Sequence, residues 1–187
     1  MKCLMICAAS LLVASATLVA QQNAPASPKP PASPKVTESA TIGGKAISIT
    51  YGSPGVKGRA GKLFGHDGRI GQDPHYPIWR GGANAATALH TDADLEISGL
   101  LVPKGDYTLF VDLSDPANWQ LVISKATGEW GLAYKPDQDL GRVKFTMSKP
   151  PALVENLKYT LADLGGGKGT LTLAWENVSA SVPFIAH

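Results

Sequence analysis

The densest set of side chains able to do chemistry lies in Trp79-Arg80-Gly81-Gly82-Ala83-Asn84-Ala85-Ala86-Thr87. Arg80 carries a rigid fork of five donors, Asn84 and Thr87 are short hydrogen-bonding groups, and Trp79 is a large anchor. The two glycines permit a tight backbone excursion between Arg80 and Asn84. Such a set can clamp a carboxylate or phosphate, with Arg80 making the bidentate contact. The competing role is structural: Arg80 paired with a partly buried carboxylate such as Glu176, pinning the loop. Buried polar groups are mostly satisfied internally, which favours that second role. Lys57 and Arg59 form another small basic pair. If their segment folds back on the Trp79 strand, then Lys57, Arg59, Arg80, Asn84 and Thr87 together make an anion site.

Other chemistries find less support. His66, Asp67, Asp73, His75 and His90 are the residues that could ligate a metal, but no His-x-x-x-His spacing or closed ligand set occurs among them, and no metal is expected. No Gly-x-Ser-x-Gly elbow is present, and Ser53-Pro54-Gly55 has no neighbouring base. Glu129 and Glu176, each beside a tryptophan, are the carboxylate pair to inspect for glycoside-type acid/base work, which needs a separation of about 5 to 9 Å. Trp130 and Trp175 themselves read as core anchors. Asp163 to Gly169 is rich in glycine and contains Lys168, yet a strand-like run follows it, whereas a phosphate cradle opens a helix. No cofactor is expected.

The elements that must carry these residues are strands. Ile47, Ile49 and Tyr51 alternate with polar neighbours, as do Tyr107, Leu109 and Val111. Trp119, Leu121 and Ile123 follow the same rule, then Val143, Phe145 and Met147, and Leu157, Tyr159 and Leu161. Leu171, Leu173 and Trp175 make the next run, and Val182 and Phe184 the last. A period of two buries one face and wets the other. Repeated runs separated by turn residues predict an all-β fold, an antiparallel β-sandwich of jelly-roll-like type. Val102-Pro103-Lys104-Gly105 is a turn ahead of one strand, and Asp163 to Gly169 a hairpin loop. Gly52 to Pro77 alternates little, and connections of that length in compact domains are commonly functional, so one wall of any site is expected there.

Ahead of the strands, Lys2 precedes an uncharged apolar or small stretch from Cys3 to Ala20 that ends in small residues. This predicts a cleaved signal peptide over residues 1–20 rather than a retained anchor, and a periplasmic or secreted destination. Both cysteines, Cys3 and Cys7, fall inside it, so the processed chain has no disulfide and must fold on its apolar core. Residues 21–37 hold Pro25, Pro28, Pro30, Pro31 and Pro34 among Ala, Ser and Lys, and read as a disordered spacer. Residues 38–187 are the single domain. Without Lys2 the chain carries 16 Lys and Arg against 15 Asp and Glu. So even a balance, without a basic cluster, argues against nucleic acid as a partner. No second apolar run is long enough to span a membrane after cleavage.

Taken in order, several landmarks form one pattern. They are Tyr51-Gly52-Ser53-Pro54, Lys57-Gly58-Arg59, Leu63-Phe64-Gly65, Trp79-Arg80 with Gly82-Ala83-Asn84 and Thr87, and Pro103 to Phe110. Trp119 to Ile123, Trp130-Gly131 and Trp175-Glu176-Asn177 complete it. The pattern, over about residues 47–184, resembles the bacterial family DUF2911, exported proteins of unknown function. The resemblance implies a signal peptide and an all-β domain, and it brings no catalytic residue. This chain departs from it at Gly81, where Thr is usual, and in a longer stretch between Gly65 and Trp79 that contains His66 and His75.

The leading expectation is a non-catalytic exported binding module whose partner is a small molecule or an envelope component. Its rivals are a cofactor-independent hydrolase or isomerase using cleft carboxylates, and a purely structural envelope protein.

Overall fold

The computed structural model describes residues 32–128 and 130–187; the stretch expected to be a signal peptide, residues 21–31 of the expected spacer and Glu129 lie outside the described residues. The chain runs through β1 (Lys35–Ile42), β2 (Lys45–Gly52), β3 (Ile78–Trp79), β4 (Thr87–Thr91), β5 (Leu95–Ile97) and β6 (Leu100–Val102). It continues through β7 (Gly105–Asp112), β8 (Gln120–Ser124), β9 (Asp139–Lys144) and β10 (Thr146–Ser148), then β11 (Val154–Gly165), β12 (Lys168–Glu176) and β13 (Val178–Ala186). No helix among the described residues is long and apolar enough to cross a membrane.

The strands form two antiparallel sheets packed as a sandwich. One has the order β1-β2-β4-β7-β8-β9, with β3 beside β7; the other runs β11-β12-β13-β5-β6, with β10 on β13. Most neighbours are consecutive in the chain. The path changes sheet between β4 and β5, between β6 and β7, and between β9 and β10, and the jelly-roll-like alternation is confined to these crossings. β1 begins at Lys35, inside the stretch assigned to the spacer. It pairs with β2 around Gly43-Gly44, whose φ values of 59° and 77° are those a two-residue hairpin needs.

Period two does what it should. Ile47, Ile49, Leu89, Leu109, Leu121 and Ile123 of the first sheet are buried, as are Leu95, Leu171, Leu173, Val182 and Phe184 of the second. Each such side chain contributes about 1.5–3 kcal/mol relative to exposure. The hairpin expected at Asp163 to Gly169 joins β11 to β12, with Gly165, Gly166 and Gly167 all at positive φ.

β7 and β8 go beyond simple alternation. Phe110 and Val122 are buried on the outer face, where the Tyr134 ring meets Phe110 at 5.0 Å. Thr108 Oγ1 donates to the Ala126 carbonyl at 2.6 Å, so the connection after β8 lies across the outside of the sheet. Trp130 belongs to that connection and is 62% exposed, which corrects its expected place in the core.

At one end of the sandwich, residues 53–57 leave the first sheet and pair with β11 of the second. Ser53 Oγ donates to the Leu157 carbonyl at 2.6 Å, Leu157 N donates to Pro54 O, and Val56 N donates to Glu155 O. Tyr159 N donates to the Tyr51 hydroxyl, and the Tyr159 hydroxyl donates to Gly81 O at 2.9 Å. Both sheets are therefore tied to the loops that begin here.

Candidate functional site

Those loops enclose a concave cavity of about 520 Å³. Its floor is aromatic. Trp79 and Trp175 stack with ring centroids 5.9 Å apart, and Phe64 meets both of them as well as Trp119 at 4.8 Å. Trp79 Nε1 donates to Gly82 O, whereas the buried Trp175 Nε1 has no hydrogen-bond partner among the described residues. Clustering of large rings here follows from the sequence: β3 ends in Trp79, and β12 carries Trp175 one residue before its end.

The rim is cationic. Lys57, Arg59, Arg69 and Arg80 all line the cavity, against the single carboxylate of Asp73. Arg80 NH2 donates to Asp73 Oδ2 at 2.6 Å, with side chains only 17% and 7% exposed, and Arg80 NH1 donates to Asn84 O at 3.1 Å. The other three cations have neutral partners. Arg59 donates from Nε to Val56 O at 3.0 Å and from NH2 to Gly55 O at 2.8 Å. Arg69 NH1 donates to Gln72 Oε1, and Lys57 Nζ donates to Ala32 O. Among the described residues, no carboxylate stands within ion-pair distance of Lys57, Arg59 or Arg69.

The backbone brings this set together at some cost. Lys57 and Asn84 both adopt positive φ, 50° and 67°, and the former is a conformation that costs about 1 kcal/mol or more for an ordinary side chain. Glu155 holds Lys57 in place by accepting its N–H at 2.8 Å. A Cβ on Gly52 would strike the Ala83 carbonyl, so only glycine lets residues 80–86 lie this close to β2. Asn84 Nδ2 reaches Ser33 O at 3.3 Å, tying the loop to the residues just before β1.

The geometry thus gathers four of the five residues expected to share a site: Lys57, Arg59, Arg80 and Asn84. The long connection after β2 does fold back on the Trp79 strand. Thr87 does not join them. It is fully buried at the start of β4, beneath Gly81 and Gly82 and near Tyr159, because the inward face of that strand points to the core. Burial pushes the Tyr159 phenol far above its ordinary pKa, with Thr87 a lesser opposing influence. The Arg80–Glu176 pair considered from the sequence is replaced by Arg80–Asp73. Glu176, itself at a φ of 56° as the last residue of β12, accepts the Gly61 N–H and anchors the loop from the other side.

Arg69 is the cavity residue that the sequence reading missed. It lies in the segment without periodicity; the available signal was the surplus of Lys and Arg over acids within it. The histidines stand apart from one another. His75 Nε2 donates to Leu132 O at 2.6 Å, His66 is exposed beside Asp67, and His90 lies on β4 between Asp92 and Asp106. Among the described residues, no cluster of His, Cys, Asp and Glu is arranged to hold a metal ion. The Glu129–Glu176 separation cannot be formed, since Glu129 lies outside the described residues.

One family model matches the chain, that of DUF2911, described as a protein of unknown function, over residues 33–184. No curated protein and no solved structure gives a significant match. The chain belongs to the DUF2911 family.

Proposed function

We propose that this DUF2911 protein is an exported, non-catalytic binding module that takes a small molecule bearing a carboxylate or phosphate group. The observation that carries this reading is the surplus of positive charge around one concave surface: four cations, one carboxylate. A cleft lined by one sign of charge focuses potential and concentrates counter-ions. Donor capacity supports it as well. A guanidinium has five N–H donors; among the described residues Arg59 uses its Nε and NH2 groups and Arg69 uses NH1, leaving donors free on both. Carboxylates and phosphates match that fork geometry. The tryptophan floor excludes water beneath the ligand, which strengthens each charged contact. Export is carried by the Lys2 and apolar leader pattern, and the N-terminal sequence of the mature protein tests it.

The test of binding is calorimetric titration at low ionic strength with two probes, inorganic phosphate and citrate. The expected result is saturable binding of at least one, weakened about tenfold or more in the double variant Arg59→Ala/Arg69→Ala, as loss of charged hydrogen bonds requires. No saturable binding of either probe, or affinity unchanged in the double variant, would overturn the reading.

A further inference from the structure

A second concavity opens beside the cationic cavity. It has a volume of about 330 Å³ and shares Ser33, Ala83 and Asn84 with the first, so the two form one continuous depression. Their linings differ in kind. The second is floored by small side chains, Ala85, Ala86, Ala88, Thr50 and Thr108, and walled by Trp130, with Lys35 and Tyr51 also lining it. Thr50, Ala88 and Thr108 are cross-strand neighbours on β2, β4 and β7, which makes the floor a flat row on the outer face of the first sheet.

Trp130 stands out among the four tryptophans. Trp79, Trp119 and Trp175 are each 3% exposed, whereas Trp130 is 62% exposed. It is also held where it stands. Its backbone forms an antiparallel bridge with Ala85, and Ala133 N donates to Trp130 O at 2.9 Å. The next residue, Gly131, packs so closely on the Asn84 carbonyl and on Arg80 that a Cβ there would meet Arg80 Cδ at 2.5 Å. Consecutive Cα atoms are about 3.8 Å apart, so the Trp130 backbone lies close to Arg80, and Asn84 lines both the depression that holds Arg80 and the one that holds the indole.

The geometry points to a bipartite ligand: a ring-bearing anion whose carboxylate or phosphate sits among Lys57, Arg59, Arg69 and Arg80 while its ring lies on the alanine floor against Trp130. This rests on the anion-binding reading above and adds the class of body attached to the anionic group. An indole presents a large flat apolar face that either an aromatic ring or the C–H face of a sugar covers. A floor of alanines and threonines leaves room for that ring, because none of those side chains fills the groove. Asn84, at the junction, donates Nδ2 to Ser33 and among the described residues its Oδ1 meets no donor, so it can accept from a hydroxyl or N–H of the ligand.

Three probes in calorimetric titration of the full chain separate the possibilities: acetate as the bare anion, benzoate with an aromatic ring, and glucuronate with a sugar ring. Benzoate or glucuronate is expected to bind about tenfold or more tightly than acetate, the gain that one well-placed stacking contact provides. Trp130→Ala should remove most of that advantage while leaving acetate affinity unchanged, and Trp130→Phe should retain part of it. An advantage seen with benzoate alone assigns an aromatic body; one seen with glucuronate alone assigns a sugar. Because Trp130 is exposed, both variants are expected to fold, and thermal unfolding verifies this. Equal affinities for all three probes, or a ring advantage that survives Trp130→Ala, would overturn the bipartite ligand and leave anion binding standing. Failure of all three probes to bind while phosphate or citrate still binds would overturn the bipartite ligand alone; failure of phosphate and citrate as well would overturn both.

Discussion

Two arginines in this molecule face buried aspartates, and their surroundings differ in one respect that separates structure from binding. Arg142 on β9 donates to Asp112 at 2.7 Å and to Asp139 at 3.0 Å, and also to the Tyr134 hydroxyl at 2.7 Å. Burial opposes the Arg142 charge, but Asp139, Tyr134 and Asp112 outweigh it and raise its pKa. Burial first, then Asp139, pushes the Tyr134 phenol up to about 12. In that node one cation meets two carboxylates, and the surplus is negative. Around Arg80 the same kind of pair, Arg80 with Asp73, sits among three further cations that no carboxylate neutralises among the described residues. The first arrangement closes on itself and holds the 125–138 connection against β7 and β8. The second is locally incomplete, and the proposed anion would complete it.

That comparison can be broken by substitution. The largest effect is expected from Arg80→Ala, which strands a nearly buried Asp73 and should cost about 3 kcal/mol of stability in urea unfolding, besides abolishing anion binding. Arg142→Ala should cost less, about 2 kcal/mol, because Arg142 is 36% exposed and water replaces part of what is lost. It should leave anion affinity unchanged; a parallel loss of affinity would show that the two regions are not distinct. Arg69→Ala should move stability by under about 0.5 kcal/mol, as for an exposed side chain, while weakening anion affinity several-fold.

The smallest effect belongs to His90, whose imidazole donates to Asp106 at 2.8 Å and faces Asp92 at 3.2 Å. The Asp106 hydrogen bond is the main reason that its pKa lies above 6.5, with burial opposing and Asp92 adding to the rise. A raised folded-state pKa gives stability that is complete below the unfolded value and lost as pH rises through the folded one. His90→Asn should therefore lower the unfolding midpoint slightly at about pH 5.5 and leave it unchanged at about pH 9. His90 lies away from the cationic cavity, so anion affinity should be unaffected at either pH.

Much of the sandwich was legible because alternation is a local property: Leu157, Tyr159 and Leu161 face inward whatever lies opposite them. β1 was harder, since its Thr, Ser and Ala residues give little contrast at a sheet edge. Trp130 was misplaced because hydrophobicity alone cannot say whether a connection passes under or over a sheet. Lys57, Arg59, Arg80 and Asn84 could be grouped by type and by the length of the loop between them. Arg69, the Asp73 partner of Arg80 and the inward turn of Thr87 could not, because each depends on where an aperiodic backbone travels in three dimensions. Charge matching across such a backbone is a long-range property, and only the folded chain displays it.

The most direct test of the account follows the guanidinium Nε–H signals of Arg59, Arg69, Arg80 and Arg142 by NMR while benzoate is added to the protein. The account predicts saturable shifts at Arg59, Arg69 and Arg80 with a common dissociation constant, and a stationary Arg142 signal. Equal small drifts at all four arginines, or movement at Arg142 alone, would contradict it.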